Sequence, residues 1–178
     1  MESWRCEQDW LCGNAQSCCT SKAGSSCPVG NEMGGFNYVL GLQAMAQMAA
    51  TIGNSSAAAR YAGLASSAKQ VFHTTFWNSQ AKMYGGDEGA IQTLTTPALA
   101  IGSAPASLTS TVIQTLANDL QQTTKYTLRV GAVTSKILLN VLSENGLHET
   151  ALRTATNTDE DSWGYWWKNN ATTCYEAW

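Results

Sequence analysis

Apolar residues recur at helical spacing along most of the chain, and no stretch shows a convincing two-residue alternation typical of a strand. The clearest stripe begins after Gly34, where four apolar residues follow one another at four-residue steps and four more widen the stripe. The first set is Phe36, Leu40, Ala44 and Met48, and the second is Val39, Leu42, Met45 and Ala49. Gly53 is placed to end this helix, and Asn54-Ser55 to cap the next. So short a turn predicts an antiparallel hairpin of two helices.

Two further hairpins follow the same logic. One begins after Gly85-Gly86 and runs through Leu94 to Gly102, with a partner helix from Leu108 to Leu120. The other is broken at Asn145-Gly146 and ends near Thr156. The pattern therefore predicts an all-α chain with six helices in three hairpins. Residues 1–33 form an irregular, cysteine-rich segment, and residues 34–178 form the helical part.

Composition narrows the possible partners. The 178 residues are 44% hydrophobic and 13% charged, which suits one globular domain with a sizeable core. A net charge of −3 with scattered basic residues argues against a nucleic-acid partner. We find no apolar run long enough to cross a membrane and no signal-peptide pattern at the start, so no membrane partner is expected.

Five of the six cysteines lie in the first 27 residues, and none of them is spaced as C-x-x-C. This spacing argues against a zinc site, so neither a metal nor another cofactor is expected. Two disulfides or reduced thiols both fit; disulfides, together with possible glycosylation at Asn54 and Asn170, favour an extracellular location. The sixth cysteine, Cys174, is expected to be a small buried residue.

The last stretch, DSWGYWWKNNATTCYEAW, combines four tryptophans, two tyrosines and the carboxylate of Glu176 without a helical or strand period. Aromatic faces beside an acid are what a sugar-binding cleft needs, because C–H faces of a pyranose pack on rings and glycosidic cleavage uses carboxyl groups. An aromatic core plug with a solvated glutamate is the alternative.

Ser162-Trp163-Gly164-Tyr165, followed by Ala171-Thr172-Thr173 and Glu176-x-Trp178, resembles the signature of the α-L-rhamnosidases. Upstream, Asp9-Trp10, Gln92-Thr93 and the sequence VLSENG follow the same order as in that family. The resemblance implies inverting glycoside hydrolysis on an (α/α)6 toroid, a ring of six helical hairpins. This chain would supply about three of those hairpins.

The resemblance also implies roles for individual residues. Glu176 matches the general base. The substrate-binding positions are Asp9, Trp10, Trp163, Trp166 and Trp178. The family's general acid lies in an Asp- and Arg-rich segment upstream of the D-W motif, and nothing here matches it. We therefore expect a fragment whose partners are a rhamnose-containing glycoside or polysaccharide and the remaining half of the toroid. Its exposed flanks would lie near Phe36 and Met48, and near Leu147 and Leu152.

Several positions depart from the family pattern. Asp161 stands where the family has Pro, Asn170 stands for Gly, and Tyr175 and Ala177 replace Trp and Arg beside Glu176. The acid run of residues 159–161 is interpreted as a solvated loop, with substrate contact as the alternative. A non-catalytic sugar-binding or structural α/α module is therefore the second hypothesis for function.

Overall fold

The computed structural model describes residues 28–84 and 91–174 of the chain. Its helices are α1 (Pro28–Thr51), α2 (Ser55–Phe76), α3 (Ile91–Ala100), α4 (Ala106–Asn118), α5 (Ala132–Glu144), α6 (His148–Thr156) and α7 (Trp163–Lys168). A π-helical turn, Asp119–Thr123, extends α4. Two short strands, β1 (Trp77–Asn78) and β2 (Met83–Tyr84), pair antiparallel. The all-α prediction is confirmed, with this small hairpin as an addition.

The helices pack as three successive hairpins, as predicted. Helix α1 packs on α2, α3 on α4, and α5 on α6. The first member of each hairpin also contacts the first member of the next, so that α3 lies between α1 and α5. This alternation puts α1, α3 and α5 in one layer and their partners in a second layer. It is the local arrangement expected of part of an (α/α) ring.

The first inter-helix turn is built by the two residues that the sequence singled out. Gly53 has a φ of 76°, a backbone conformation that side-chain-bearing residues rarely adopt. The Asn54 side-chain oxygen then accepts a hydrogen bond from the Ala57 backbone N–H at 3.0 Å. This bond satisfies one of the free N–H groups at the start of α2.

Two buried clusters form the core. The first joins α1, α2, β2, α3 and α4: Met33, Phe36, Val39, Phe72, Tyr84, Leu94, Ala98, Ile101 and Val112. The second joins α4, the loop after it, α5 and α6: Leu116, Leu120, Leu128, Val130, Leu138, Val141, Leu142 and Ala151. Helix α3 is buried from Gln92 to Ala98, since neighbours cover it on every side.

Helix α1 differs from the prediction in its start and in its buried face. It begins at Pro28, six residues before the predicted start. Leu40 and Met48, two members of the predicted apolar stripe, are 45% and 55% exposed, while Val39 and Ala49, which widen the stripe, are buried as predicted. The four-residue spacing did not single out the covered side, because apolar residues lie on more than one face of α1.

None of the helices in the described ranges is long and apolar enough to span a membrane.

Candidate active site

Three of the helices have their N-terminal ends close together. Gln92, the second residue of α3, accepts a hydrogen bond from the backbone N–H of Arg129, three residues before α5. The N–H of Leu128 donates to the carbonyl of Asp161, two residues before α7, at 2.8 Å. The beginnings of α3, α5 and α7 therefore meet at one end of the helical layers, which we call the N-terminal end.

Gln92 is the centre of a buried polar network at this end. Its side-chain Nε2 donates towards Asp119 Oδ2 at 3.0 Å, Thr124 Oγ1 at 3.1 Å and the carbonyl oxygen of Thr127 at 3.2 Å. Its Oε1 accepts from the Arg129 N–H at 2.9 Å. One neutral side chain therefore connects α3 to the π-helical turn and to the loop that leads into α5.

Asp119 is an acid inside this network, with only 3% of its surface exposed. Burial raises the pKa of the Asp119 carboxyl, while the hydrogen bond from Gln92 and the nearby positive charge of Arg129 work against the rise. Neither Gln92 nor Asp119 was assigned a site role from the sequence. The available signal for Gln92 was its place in a run of apolar and threonine residues at the start of α3.

A second acid, Asp161, lies beside Arg129 at the same end. Burial first, and then the neighbouring Glu160, raise the pKa of Asp161, while Arg129 opposes them. Asp161 also has a φ of 63°, a conformation that the proline of the family pattern could not adopt. The side chains of Asp159 and Glu160 are exposed, in agreement with a solvated loop, and that of Asp161 is half-buried.

The terminal aromatic motif begins with a well-defined turn. Ser162 is buried and caps α7: its Oγ accepts from the Tyr165 N–H at 3.1 Å and lies 2.9 Å from the carbonyl oxygen of Asn157. A Cβ at Gly164 would overlap that same carbonyl oxygen. The Gly of the SWGY sequence is therefore required by close backbone contact.

The aromatic residues of the motif differ in exposure. Residues 163–168 form α7, so the absence of a helical period in the sequence was misleading. Trp163 is half-buried against the second core cluster, and Trp166 is 6% exposed. Trp167 is 78% exposed. Among these described aromatics, Trp163 combines a packed position with some access to solvent.

The chain after α7 turns back on the helix. Asn170 has a φ of 61°, and the Ala171 N–H donates to the Trp166 carbonyl at 2.9 Å. Cys174 is exposed, so the prediction of a buried cysteine is wrong: the thiol follows the turn, beyond the packed part of the motif. Asp9, Trp10, Glu176 and Trp178 lie outside the described residues, as do the first five cysteines.

The first hairpin contributes a separate polar group. The Tyr84 hydroxyl lies 3.0 Å from His73 Nδ1 and 3.2 Å from Ser103 Oγ. Near it, Glu32 is completely buried, and neither carboxyl oxygen has a hydrogen-bond partner within 28–84 and 91–174. Burial raises the pKa of Glu32 well above its usual value. In the described ranges, no group of three or more His, Cys, Asp and Glu residues could hold a metal ion.

Comparison with known structures supports the fold over most of the chain. An α-L-rhamnosidase from Aspergillus terreus matches 96% of this chain with a TM-score of 0.78 at 18% identity. The enzyme from Dictyoglumus thermophilum matches 80% with a TM-score of 0.73 at 26% identity. That from Streptomyces avermitilis, solved with L-rhamnose, matches 86% with a TM-score of 0.73 at 23% identity.

This chain is much shorter than the enzymes it matches. It covers 19%, 16% and 14% of the Aspergillus, Dictyoglumus and Streptomyces chains, respectively. A search of curated proteins found no match. The family model described as the bacterial alpha-L-rhamnosidase 6 hairpin glycosidase domain matches residues 34–178. The chain therefore belongs to the α-L-rhamnosidase six-hairpin glycosidase family.

Proposed function

We propose that this chain is part of an enzyme that releases terminal α-L-rhamnose with inversion, with Glu176 as the general base. The observation that carries this proposal is the family match, which extends from residue 34 to the end of the motif that contains Glu176. One structural neighbour was solved with L-rhamnose, which supports a rhamnose-containing substrate.

In this proposal Glu176 acts on water. The carboxylate takes a proton from a water molecule, whose oxygen attacks the anomeric carbon from the face opposite the leaving group. A second carboxyl protonates the glycosidic oxygen as the bond to it breaks. In the sequence pattern this general acid belongs to an Asp- and Arg-rich segment that has no counterpart in residues 1–178. We therefore propose that another part of the enzyme supplies it, so this chain alone is inactive.

The proposed pocket walls are aromatic, with Trp10, Trp163 and Trp178 beside Asp9. The half-buried position of Trp163 near the meeting point of α3, α5 and α7 supports its role. Trp166 was predicted to contact the sugar as well. Trp166 is almost completely buried, so little of its surface is accessible to a sugar. Contact between Trp166 and substrate stays a prediction.

The uncovered side of α1 supports a further protein partner. Four large apolar side chains of the helix, those of Tyr38, Leu40, Met45 and Met48, are more than a third exposed, and Ile52 directly after the helix is 79% exposed. No charged residue lies between Met33 and Ile52. An apolar face of this kind normally packs against protein. We propose that another hairpin of the six-hairpin ring covers it. Phe36, predicted to belong to this flank, is instead buried. Leu152, on the opposite predicted flank, is 58% exposed.

A non-catalytic sugar-binding module is the second candidate. It is favoured by Tyr175 and Ala177, which replace the family's residues on both sides of Glu176.

An extracellular location is also proposed. This proposal depends on two disulfides among the five N-terminal cysteines. The mass of the protein before and after reduction would test for them, since reduction of two disulfides adds four hydrogens.

Substitution of Glu176 separates the two candidates. In the complete enzyme, Glu176→Gln should lower kcat on an aryl α-L-rhamnoside by at least roughly 100-fold, because the amide cannot accept the proton from water. Rhamnose binding, measured by calorimetry, should be largely retained. Glu144→Gln, at an exposed position at the end of α5, is the matched control. Near-normal turnover in Glu176→Gln would exclude Glu176 as the base.

A further inference from the structure

We infer that Gln92 is a positioning residue, which holds the backbone leading to the terminal motif through a relay of hydrogen bonds. The inference rests on the proposed function for its effect on catalysis. Its structural part, the control of one backbone segment by one buried side chain, can be tested independently of any activity.

The first step of the relay fixes Arg129. Gln92 Oε1 accepts from the Arg129 N–H at 2.9 Å, and the neighbouring Thr93 hydroxyl donates to the Arg129 carbonyl at 2.9 Å. Both peptide groups of this residue are therefore bound to the first turn of α3. Since residues 92–98 of α3 are buried, this anchor has little freedom to move.

The second step passes from this loop to the terminal motif. Leu128, adjacent to Arg129 and fully buried, donates its N–H to the Asp161 carbonyl at 2.8 Å. Asp161 immediately precedes Ser162, the cap of α7. The Ala171 N–H in turn bonds to the Trp166 carbonyl of α7. The position of Gln92 therefore affects the segment that continues, five residues after Ala171, to Glu176.

A glutamine is suited to this place because it donates and accepts at once. Its Nε2 faces the acceptors of Asp119, Thr124 and Thr127, and its Oε1 faces the N–H of Arg129. A glutamate could accept from Arg129 but could not donate when ionised, and it would place a second carboxylate beside Asp119. A methionine of similar shape would leave all four groups without this partner, which is costly for buried polar atoms.

The first test is local and uses hydrogen exchange of the complete protein. In Gln92→Met, the amides of Leu128 and Ala171 should exchange at least roughly tenfold faster, because their acceptors are no longer held in register. Thr96→Val is the matched control: Thr96 is fully buried on the same helix, and its hydroxyl has no partner in the described part of the chain. Unchanged exchange at both amides in Gln92→Met would overturn the inference.

The second test concerns catalysis. Gln92→Met should lower kcat roughly 10–100-fold with KM nearly unchanged, as expected for a catalytic group displaced by a fraction of an ångström to 1 Å. In Gln92→Glu, the ratio of its kcat to that of the parent at the same pH should recover as the pH falls, because the protonated side chain can again donate. A pH-independent loss in Gln92→Glu, or a loss of kcat in Gln92→Met no greater than in Thr96→Val, would contradict the inference. If the parent enzyme cleaves no rhamnoside, the proposed function fails and the exchange experiment alone decides.

Discussion

Helices α1 and α3 are neighbours in the same layer, yet their surroundings differ completely. Seven consecutive residues of α3, Gln92 to Ala98, are buried, because α1, α4, α5 and β2 contact it. Helix α1 is longer, but it leaves the large apolar side chains of Tyr38 and Met48 more than half exposed. In the described part of the chain, α3 lies between α1 and α5 within its layer, whereas α1 lies at the edge of that layer. A residue's role in stability here therefore depends on whether both neighbouring hairpins are present.

The largest expected effect tests this contrast directly. Leu94→Ala, at a position 1% exposed in α3, should lower the free energy of unfolding by about 2–5 kcal/mol. Leu40→Ala, at a position 45% exposed in α1, should cost less than about 1 kcal/mol in this chain. Denaturant unfolding of both variants provides the measurement. In the complete enzyme the cost at Leu40 should rise, and equal costs at the two positions in the isolated chain would contradict the contrast.

Glu32, the single charged residue of α1, provides a pH-dependent test. Its pKa in the folded chain is raised by burial above the ordinary value of 4.5. Below the unfolded pKa both states hold the proton, so Glu32 does not reduce stability there. As the pH rises towards the folded pKa, the unfolded state releases the proton first and folding becomes less favourable. Glu32→Gln should therefore gain stability relative to the parent as the pH increases above about 4.5.

Denaturation midpoints at a series of pH values measure this effect. Glu144→Gln, at an exposed glutamate on α5, is the control for the removal of a surface carboxyl group. Parallel pH dependence of the parent and Glu32→Gln would contradict a raised pKa of Glu32 in the folded chain.

Glycine substitutions extend the comparison to the terminal motif. Gly164→Ala should cost about 1–3 kcal/mol, because the new methyl group would overlap the Asn157 carbonyl oxygen. Gly63→Ala, in the middle of α2, meets no atom within 4 Å and should stabilise by about 0.5–1 kcal/mol. Thermal unfolding of the two variants should therefore shift in opposite directions. A stabilised Gly164→Ala would show that this turn is packed more loosely than described.

The smallest expected change in stability is at the exposed face of α1. Met48→Lys should alter the free energy of unfolding by no more than about 0.5 kcal/mol, since the side chain is mostly solvated. It should nevertheless reduce self-association of the 178-residue chain, because a charge interrupts the apolar face. Sedimentation velocity would measure this self-association, with Gln114→Lys, at an exposed position of α4, as the control. If the parent and Met48→Lys self-associate to the same extent, the exposed face of α1 is not the surface through which the chain associates.

The sequence predicted what depends on local signals. Gly53 and Asn54 defined the first turn, and Asn145-Gly146 the last break, because backbone conformation and capping are properties of a few adjacent residues. Helix periodicity also gave the three hairpins. The family resemblance added the functional motif, and its Gly164 has a clear physical reason in the structure.

Contacts between residues that are distant in the sequence could not be predicted from these local signals. Gln92 contacts residues 27 to 37 positions away, so nothing in its own neighbourhood indicates its partners. The exposure of Leu40 was missed because apolar residues lie on more than one face of α1, and the neighbouring helices decide which of these faces is covered. The burial of Trp166 likewise follows from the packing of α7, which aromatic composition does not reveal.

The anomeric configuration of the first product distinguishes inverting from retaining hydrolysis of an α-L-rhamnoside. Proton NMR can follow the complete enzyme on an aryl α-L-rhamnoside, before mutarotation mixes the anomers. We expect β-L-rhamnose to appear first and Glu176→Gln to abolish its formation, since one water activated by Glu176 attacks opposite the leaving group. Initial release of α-L-rhamnose, or undiminished release of β-L-rhamnose by Glu176→Gln, would contradict it.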